Sequence, residues 1–304
     1  MVFFLVHLIP GDIIDAMRSK ALDVELDRAA IEKELGLDRP LIIQYLSWLG
    51  AYPQADGSVN GLLQGNLGVS WWQSLPVTEL IAPRWPLTLE LGILALLVAQ
   101  LIALPIGVVS ALRQDSWVDY LSRSFAIFCI AVPSFWLGSM AIIFPALWWG
   151  YMPPIMFVPL TEDVGENLQM LIVPAIVLGM SMAGMTMRMT RTMMLEVLRQ
   201  DYIRTAWAKG LSESVVVMRH ASKNAVIPVI TLIGLQAPVL IGGTVIIERI
   251  FSLPGMGRLL MDGVTGKDHP LVNGIVVLFA TCMVLINLIV DLTYALLDPK
   301  VQLK

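Results

Sequence analysis

Five long apolar runs separated by short polar stretches set the pattern of the chain, and they predict membrane-spanning helices over residues 87–112, 120–149, 168–187, 225–247 and 271–297. Each holds about 20 residues or more, enough at roughly 1.5 Å per residue to cross a hydrocarbon core about 30 Å thick. Pro86 starts the first run, and Pro133 and Pro145 fall inside the second. Residues 1–9 are also apolar but cover only roughly 14 Å, and they lack the basic flank and small-residue cleavage site of a secretory signal. Residues 12–86 are polar enough to lie in water. Within them, DVELDRAAIEKELGLDRP predicts a helix stopped around Gly36 and Pro40, and LIIQYLSWL predicts a second. The Gly-rich GLLQGNLGVSWW that follows carries Trp71 and Trp72, a pair suited to a membrane interface.

Between the third and fourth runs lies a basic, helix-forming hairpin, DYIRTAWAKGLSESVVVMRHASKNAVIP, residues 201–228. Good helix formers over 196–209 end at Gly210, which suits the left-handed position after a helix. Ser212 can then cap a second helix, with Glu213 in its first turn. Ala206, Ala208 and Gly210 keep the bend small, so a partner can approach the backbone closely. Two readings stand at this point, a docking handle and an ordinary connecting loop.

Composition agrees with a multispan membrane protein: 304 residues, 57% hydrophobic and 14% charged, with a mean hydropathy of +0.74. A net charge of -4 gives no footprint for nucleic acid. Cys129 and Cys282 lie inside apolar runs, and His7, His220 and His269 have no metal-ligand spacing. Orientation follows from the loops. Residues 151–167 carry no Lys or Arg but hold Glu162, Asp163 and Glu166, whereas residues 188–223 carry Arg188, Arg191, Arg199, Arg204, Lys209, Arg219 and Lys223. The excess of basic residues predicts that the hairpin and the tail DPKVQLK are cytoplasmic and the polar first segment is outside.

No catalytic constellation is visible. The nearest phosphate-loop pattern, GVTGKDHP over 263–270, has Met261 where the first glycine belongs and Asp268 where a Ser or Thr is needed for magnesium. Glu90, Gln100, Asn287 and Asp291 are polar residues at or within membrane depth, and Asn287, Asp291 and Tyr294 share a helix face. Such groups either line a solute route or hydrogen-bond between helices; the packing reading is preferred for Asn287, and Asp291 can reach the interface. Met180, Met182, Met185, Met187 and Met189 are read as adaptable packing, since no Cys or His joins them to make a soft-metal channel. Gly234, Gly242 and Gly243 are expected to permit close helix contact.

RTAWAKG followed by RHASKNAVIP resembles the coupling-loop motif of binding-protein-dependent ABC importer permeases, in particular the dipeptide/oligopeptide/nickel branch. Against the general form of the motif only Ala206 and Gly210 match in register, and Pro228 comes late. The blocks LVHLIPGDIID, LGLDRPLIIQYLSWL, GNLGVS, VIIERIFSLPGMGRLL and DLTYALLDPK also resemble that branch. The resemblance implies an all-α, polytopic membrane protein with the six-span permease fold. Residues 1–10 would be the remnant of a shortened first span (a short interfacial anchor being the alternative). Residues 11–86 would be an extracytoplasmic segment, and residues 87–300 the permease domain with its coupling loop at 188–224. It further implies a permease subunit in the inner membrane of a prokaryote, without catalytic residues, cofactor or metal. The implied partners are a second homologous permease, two cytoplasmic ATPase subunits and an extracytoplasmic solute-binding protein that delivers a peptide-like solute. Arg204, Thr205, Ala206, Lys209, Gly210 and Leu211 would dock the ATPase; Glu90, Asn287 and Asp291 would line the pathway or pack helices. The competing classes are an ion-coupled secondary transporter using Asp291 or Glu90 as a relay, and a membrane scaffold protein.

Overall fold

The computed structural model describes residues 2–7, 13–20, 27–54, 56–150, 154 and 157–297. Among the described residues the regular elements are helices, with one isolated β-bridge between Val69 and Pro76. The early helices are short: α1 (Val2–His7), α2 (Ile13–Lys20), α3 (Arg28–Glu34), α4 (Leu41–Leu49) and α5 (Val77–Ile81). Then come α6 (Trp85–Leu112), α7 (Trp117–Ala131), α8 (Ser134–Trp149) and α9 (Val164–Leu198). The chain continues through α10 (Asp201–Ala208), α11 (Glu213–Val215), a π-helical stretch (Val216–Ala221), α12 (Ser222–Ile250), α13 (Met256–Gly266) and α14 (His269–Leu297). Helices α6, α9, α11 to α12, and α14 are each long and apolar enough to cross a membrane, giving four spans, or five if the bent pair α7–α8 is one more. The expected sixth span involves residues 8–10, which lie outside the described residues, as does the tail at 298–304.

The chain forms two compact units, one of residues 1–86 with 254–281, the other of residues 87–253 with 282–304. Residues 254–281 thus pack with the first segment of the chain. In that first unit Asp27 caps α3 by accepting hydrogen bonds from the backbone N–H groups of Ala29 and Ala30, and α4 coincides with the LIIQYLSWL run. Aromatic rings of α1 and α4 meet, with Phe3 at 5.4 Å from Tyr45 and 5.6 Å from Trp48. The segment that fails as a phosphate loop has a structural role. Asp268 is fully buried and precedes α14; its carboxylate accepts from Leu271 N (3.3 Å), Trp71 N (3.3 Å) and Ser70 Oγ (2.5 Å). Trp72 Nε1 donates to Gly266 O at 2.6 Å, so this indole is also tied into the unit.

The second unit is built around α9. In its most apolar stretch 67% of residues are buried, against 11% for α14. The buried face of α6 runs Leu87, Leu91, Ala95, Ala99, Ala103, Gly107, Ala111, one residue in every four, so one side-chain ridge of small residues faces α9. A Cβ on Gly179 would meet Ala95 O at 2.5 Å, and one on Gly107 would meet Thr190 Cβ at 2.7 Å. On the α7 side a Cβ on Gly184 would meet Ala126 O at 2.7 Å. At each of these three glycines a backbone oxygen of the neighbouring helix is among the atoms that the Cβ would meet. Of those expected to permit close contact, Gly243 would bring a Cβ to 2.9 Å from Leu178 Cδ1, but Gly242 faces open space.

Three expectations change. The run at 120–149 is not one straight span: it breaks between α7 and α8 with a bend of 97°. Pro133 has no N–H to donate and holds Val132 in extended geometry (φ -84, ψ 124), ending α7 there. Pro145 lies inside α8 without breaking it. The third span does not stop at residue 187, because α9 runs 35 residues, about 52 Å, and its last turns extend beyond the hydrocarbon core. Finally, Met182 and Met187 pack in the core while Met185 is exposed, so the methionines of α9 point in different directions.

Gly179→Val is expected to destabilise the protein by about 1–3 kcal/mol, because the extra carbons have no room against the α6 backbone. Gly242→Ala should leave stability unchanged or slightly raised. Thermal unfolding of the two variants in detergent checks this, and equal melting temperatures would contradict the close α6–α9 approach. Asp268→Ala should cost about 2 kcal/mol, since it removes a helix cap and strands buried donors; the same melting assay reads it.

Candidate functional site

The hairpin between α9 and α12 is a small folded object with an inside and an outside. Ile203 and Ala206 of α10 are buried, packed with Ala111, Met194, Val216, Val217, Ala221 and Ala225. Ala206 therefore belongs to the hairpin's own core, not to its outer surface, and Leu211 is half-buried against the same cluster. The outer surface carries Arg204, Thr205, Lys209 and Gly210. Arg204 is 76% exposed and its partner Asp201 nearly fully so; their 3.5 Å pair is a solvated contact of little stabilising value. Thr205 Oγ1 donates back to Asp201 O at 3.0 Å. Gly210 is left-handed (φ 78) and a Cβ there would meet nothing within 4 Å, so the tip is open.

Two local expectations need correction. The helix predicted over 196–209 is interrupted, because Arg199 ends α9 and Gln200 is extended (φ -74, ψ 149) before Asp201 starts α10. The turn lets Ile203 and Ala206 fold back onto the core, which a straight continuation of α9 would prevent. Ser212 occupies the cap position of α11 but makes no side-chain cap bond. Beyond it the helix continues through the π-helical stretch, whose extra backbone residue per turn puts Val216, Val217 and Ala221 together on the buried side.

Other exposed residues of the hairpin escaped the sequence reading. Tyr202, Trp207, Val215 and Met218 are large apolar side chains left in the open, and Tyr202 Oη accepts a hydrogen bond from Asn224 Nδ2 at 2.8 Å. The signal was present in α10. Once Ile203 and Ala206 mark the buried stripe, Tyr202 falls outside it, and so does Trp207.

At the foot of the unit the sequence reading also missed a buried ion pair. Arg191 of α9 presents its guanidinium fork to Asp119 of α7, with Nε to Oδ1 and Nη2 to Oδ2 both at 2.7 Å. The Asp119 side chain is fully buried and that of Arg191 is 20% exposed. The carboxylate also accepts from Ser110 Oγ (2.6 Å) and Asp115 N (3.1 Å), so its lone pairs are met from three directions.

The polar candidates within the spans do not converge. Glu90 is half-buried on α6, with Oε1 lacking a hydrogen-bond partner. Asn287 and Asp291 are exposed on α14, so Asn287 does not bridge helices within this chain as expected. The buried polar contacts lie elsewhere: Thr88 Oγ1 donates to the buried Glu248 at 2.7 Å, and Thr186 lies 3.5 Å from Gln236 Oε1. Gln100 is unpaired at both amide atoms.

Comparison with known proteins agrees with this architecture. Residues 103–303 match the family described as binding-protein-dependent transport system inner membrane component. Residues 1–92 match the N-terminal family of such membrane components. The chain is 38% identical over 327 aligned positions to the dipeptide transport system permease protein DppB of Escherichia coli, covering 100% of this chain and 94% of that one. It is 39% identical to a putative peptide transport system permease protein of Brucella abortus, over 99% of this chain and 93% of the relative. It is 36% identical to the glutathione transport system permease protein GsiC of Salmonella paratyphi A, over 100% and 93%. Among solved structures, the inward-facing MetNI methionine ABC transporter matches with a TM-score of 0.56 at 17% identity, over 69% of this chain and 93% of that one. An amino acid ABC transporter matches with a TM-score of 0.54 at 13% identity, over 72% and 94%; both share the fold. This multi-pass helical chain, matched along nearly its whole length, belongs to the family of inner-membrane permease components of binding-protein-dependent transport systems.

Proposed function

We propose that this permease carries di- or oligopeptides or related solutes inward as one half of a channel whose other half is a second, homologous permease. Two ATPase subunits bind from the cytoplasm and hydrolyse ATP; an extracytoplasmic binding protein delivers the solute to the other side. The observation that carries this reading is the hairpin, with its sealed apolar core, cationic and apolar outer face, and open tip at Gly210. Arg204, Lys209, Gly210 and Leu211 contact the ATPase, with Trp207 and Met218 as apolar anchors, while Thr205 and Ala206 hold the shape of α10. Closure of the ATPases on ATP then displaces a stiff handle and shifts the balance between outward-open and inward-open packing.

Sidedness is supported by α9 alone. It begins among Asp163 and Glu166 and ends among Arg188, Arg191 and Arg199, the distribution expected when its C-terminal end is cytoplasmic. On this reading residues 11–86 are outside and the C-terminal tail is inside. The exposed polar face of α14 with Asn287 and Asp291 is covered by the second permease, and Glu90 lies along the solute route. The peptide class rests on the likeness to the dipeptide and glutathione permeases.

The experiment compares Gly210→Arg with Gly210→Asn in co-purification with the ATPase subunits. Asparagine accepts the left-handed backbone and stays short, whereas arginine adds a long cation where a partner must approach. The ATPase should remain with the wild type and Gly210→Asn and be reduced at least tenfold with Gly210→Arg. Equal retention by both variants rejects the docking assignment. Ion-driven transport with no ATPase bound to the wild type rejects the importer reading in favour of a secondary transporter.

A further inference from the structure

The hairpin is tied to the spans in two ways of different stiffness. Its apolar core shares Ala111, Val108 and Leu112 with the end of α6, a contact that can slide. Through the turn at Arg199 and Gln200 it is also continuous with α9, and α9 is fixed to α7 by the Asp119–Arg191 pair. A bidentate fork fixes distance, azimuth and register at once, which apolar contact between helices does not.

The surroundings of Asp119 go beyond simple charge compensation. Ser110 reaches it from α6 and Asp115 N from the α6–α7 turn, where Asp115 adopts a left-handed backbone (φ 60). Gln114 in the same turn lies 3.5 Å from Arg199 Nη2, a second polar link between this turn and the end of α9. One carboxylate thus gathers α6, the turn and α9 onto the first turns of α7. An apolar pair of similar size in the same place could give comparable stability, so stability alone does not account for a buried ion pair. At the far end of α7 the break at Val132 and Pro133 separates it from α8.

We propose that the Asp119–Arg191 pair is a mechanical clasp that makes α7 move with the hairpin, so that both are positioning residues for coupled transport. This rests on the docking reading of the hairpin given above. It assigns to two residues outside the hairpin the task of turning ATPase closure into displacement of a span.

The test uses the complete transporter in proteoliposomes, with alanyl-phenylalanine as the probe peptide and the loaded binding protein present. Asp119→Leu/Arg191→Met replaces the pair by apolar side chains of similar size; Arg191→Lys keeps the charge and loses the fork. With the ATPase subunits still bound, peptide transported per ATP hydrolysed should fall at least tenfold in the double variant and severalfold in Arg191→Lys. A double variant that transports at the wild-type ratio overturns the proposal, and so does loss of the ATPase from both variants, which would make the pair a prop for the docking surface. A second readout does not depend on the cargo. Spin labels at Leu121 and Ser214, both exposed, in a background with Cys129 and Cys282 replaced by serine, should keep their separation when a non-hydrolysable ATP analogue binds the wild-type clasp, and change it in the double variant. A separation that changes equally in both rejects the clasp even if the probe peptide is not a substrate. Loss of the ATPase with Gly210→Arg remains the independent check on docking.

Discussion

The second unit depends on how closely the backbones of α6 and α9 approach. Lipid tails are as apolar as leucine, so helices in a bilayer gain little from hiding apolar surface from one another; packing and the few available polar contacts hold them together. The every-fourth-residue ridge of alanine and glycine on α6 and the bare backbone at Gly179 make that approach possible. With α6 seated, α9 becomes the most buried of the four candidate spans, and α7 and α12 pack on what remains of its surface. The hairpin inherits its position from this contact, because its core includes the last turn of α6 and the last turns of α9.

A second constraint is the missing donor at Pro133. It divides a stretch of apolar residues into two helices, neither of which alone has the length to cross the hydrocarbon core. α7 is then free to associate with the polar foot of α9 through Asp119, while α8 continues in another direction. The arrangement separates a polar, tightly bonded region at one end of the bundle from apolar segments with exposed faces. It accounts for an intramembrane protein carrying a fully buried aspartate: the carboxylate lies at the end of the bundle, where arginine, a hydroxyl and a backbone N–H all reach it.

The proposed function rests on a hairpin that has its own apolar core and is joined to the helix bundle. An importer of this family needs the energy released in one subunit to alter the shape of another, and only elements that move without deforming transmit such a change. A hairpin with its own core meets that requirement better than a flexible loop would. Helix α14 keeps an exposed face with Asn287 and Asp291 on it, the face that the proposed second permease would cover.

The apolar runs and the basic hairpin were legible in the amino-acid order, though not the bend within 120–149 or the full length of α9, because membrane thickness and loop charge act on composition, which is local. The LIIQYLSWL helix, Gly210 as the helix-ending residue and the break potential of proline belong to the same category. Which proline breaks a helix was not legible: Pro105, Pro145 and Pro174 are accommodated inside helices while Pro133 ends one. Nor was the choice of Gly107, Gly179 and Gly184 over Gly242, since a glycine matters only where another backbone arrives. Asp119 and Arg191 are 72 residues apart and each looks like an ordinary charge near a helix end; Ala206 looks like a surface residue of a docking motif until α6 and α12 close over it. The sequence by itself determined a multispan membrane protein with a basic hairpin between two spans, because hydropathy and charge are summed along the chain. The tertiary structure alone decided which side chains meet, because contacts between distant helices depend on register and rotation that no local window contains.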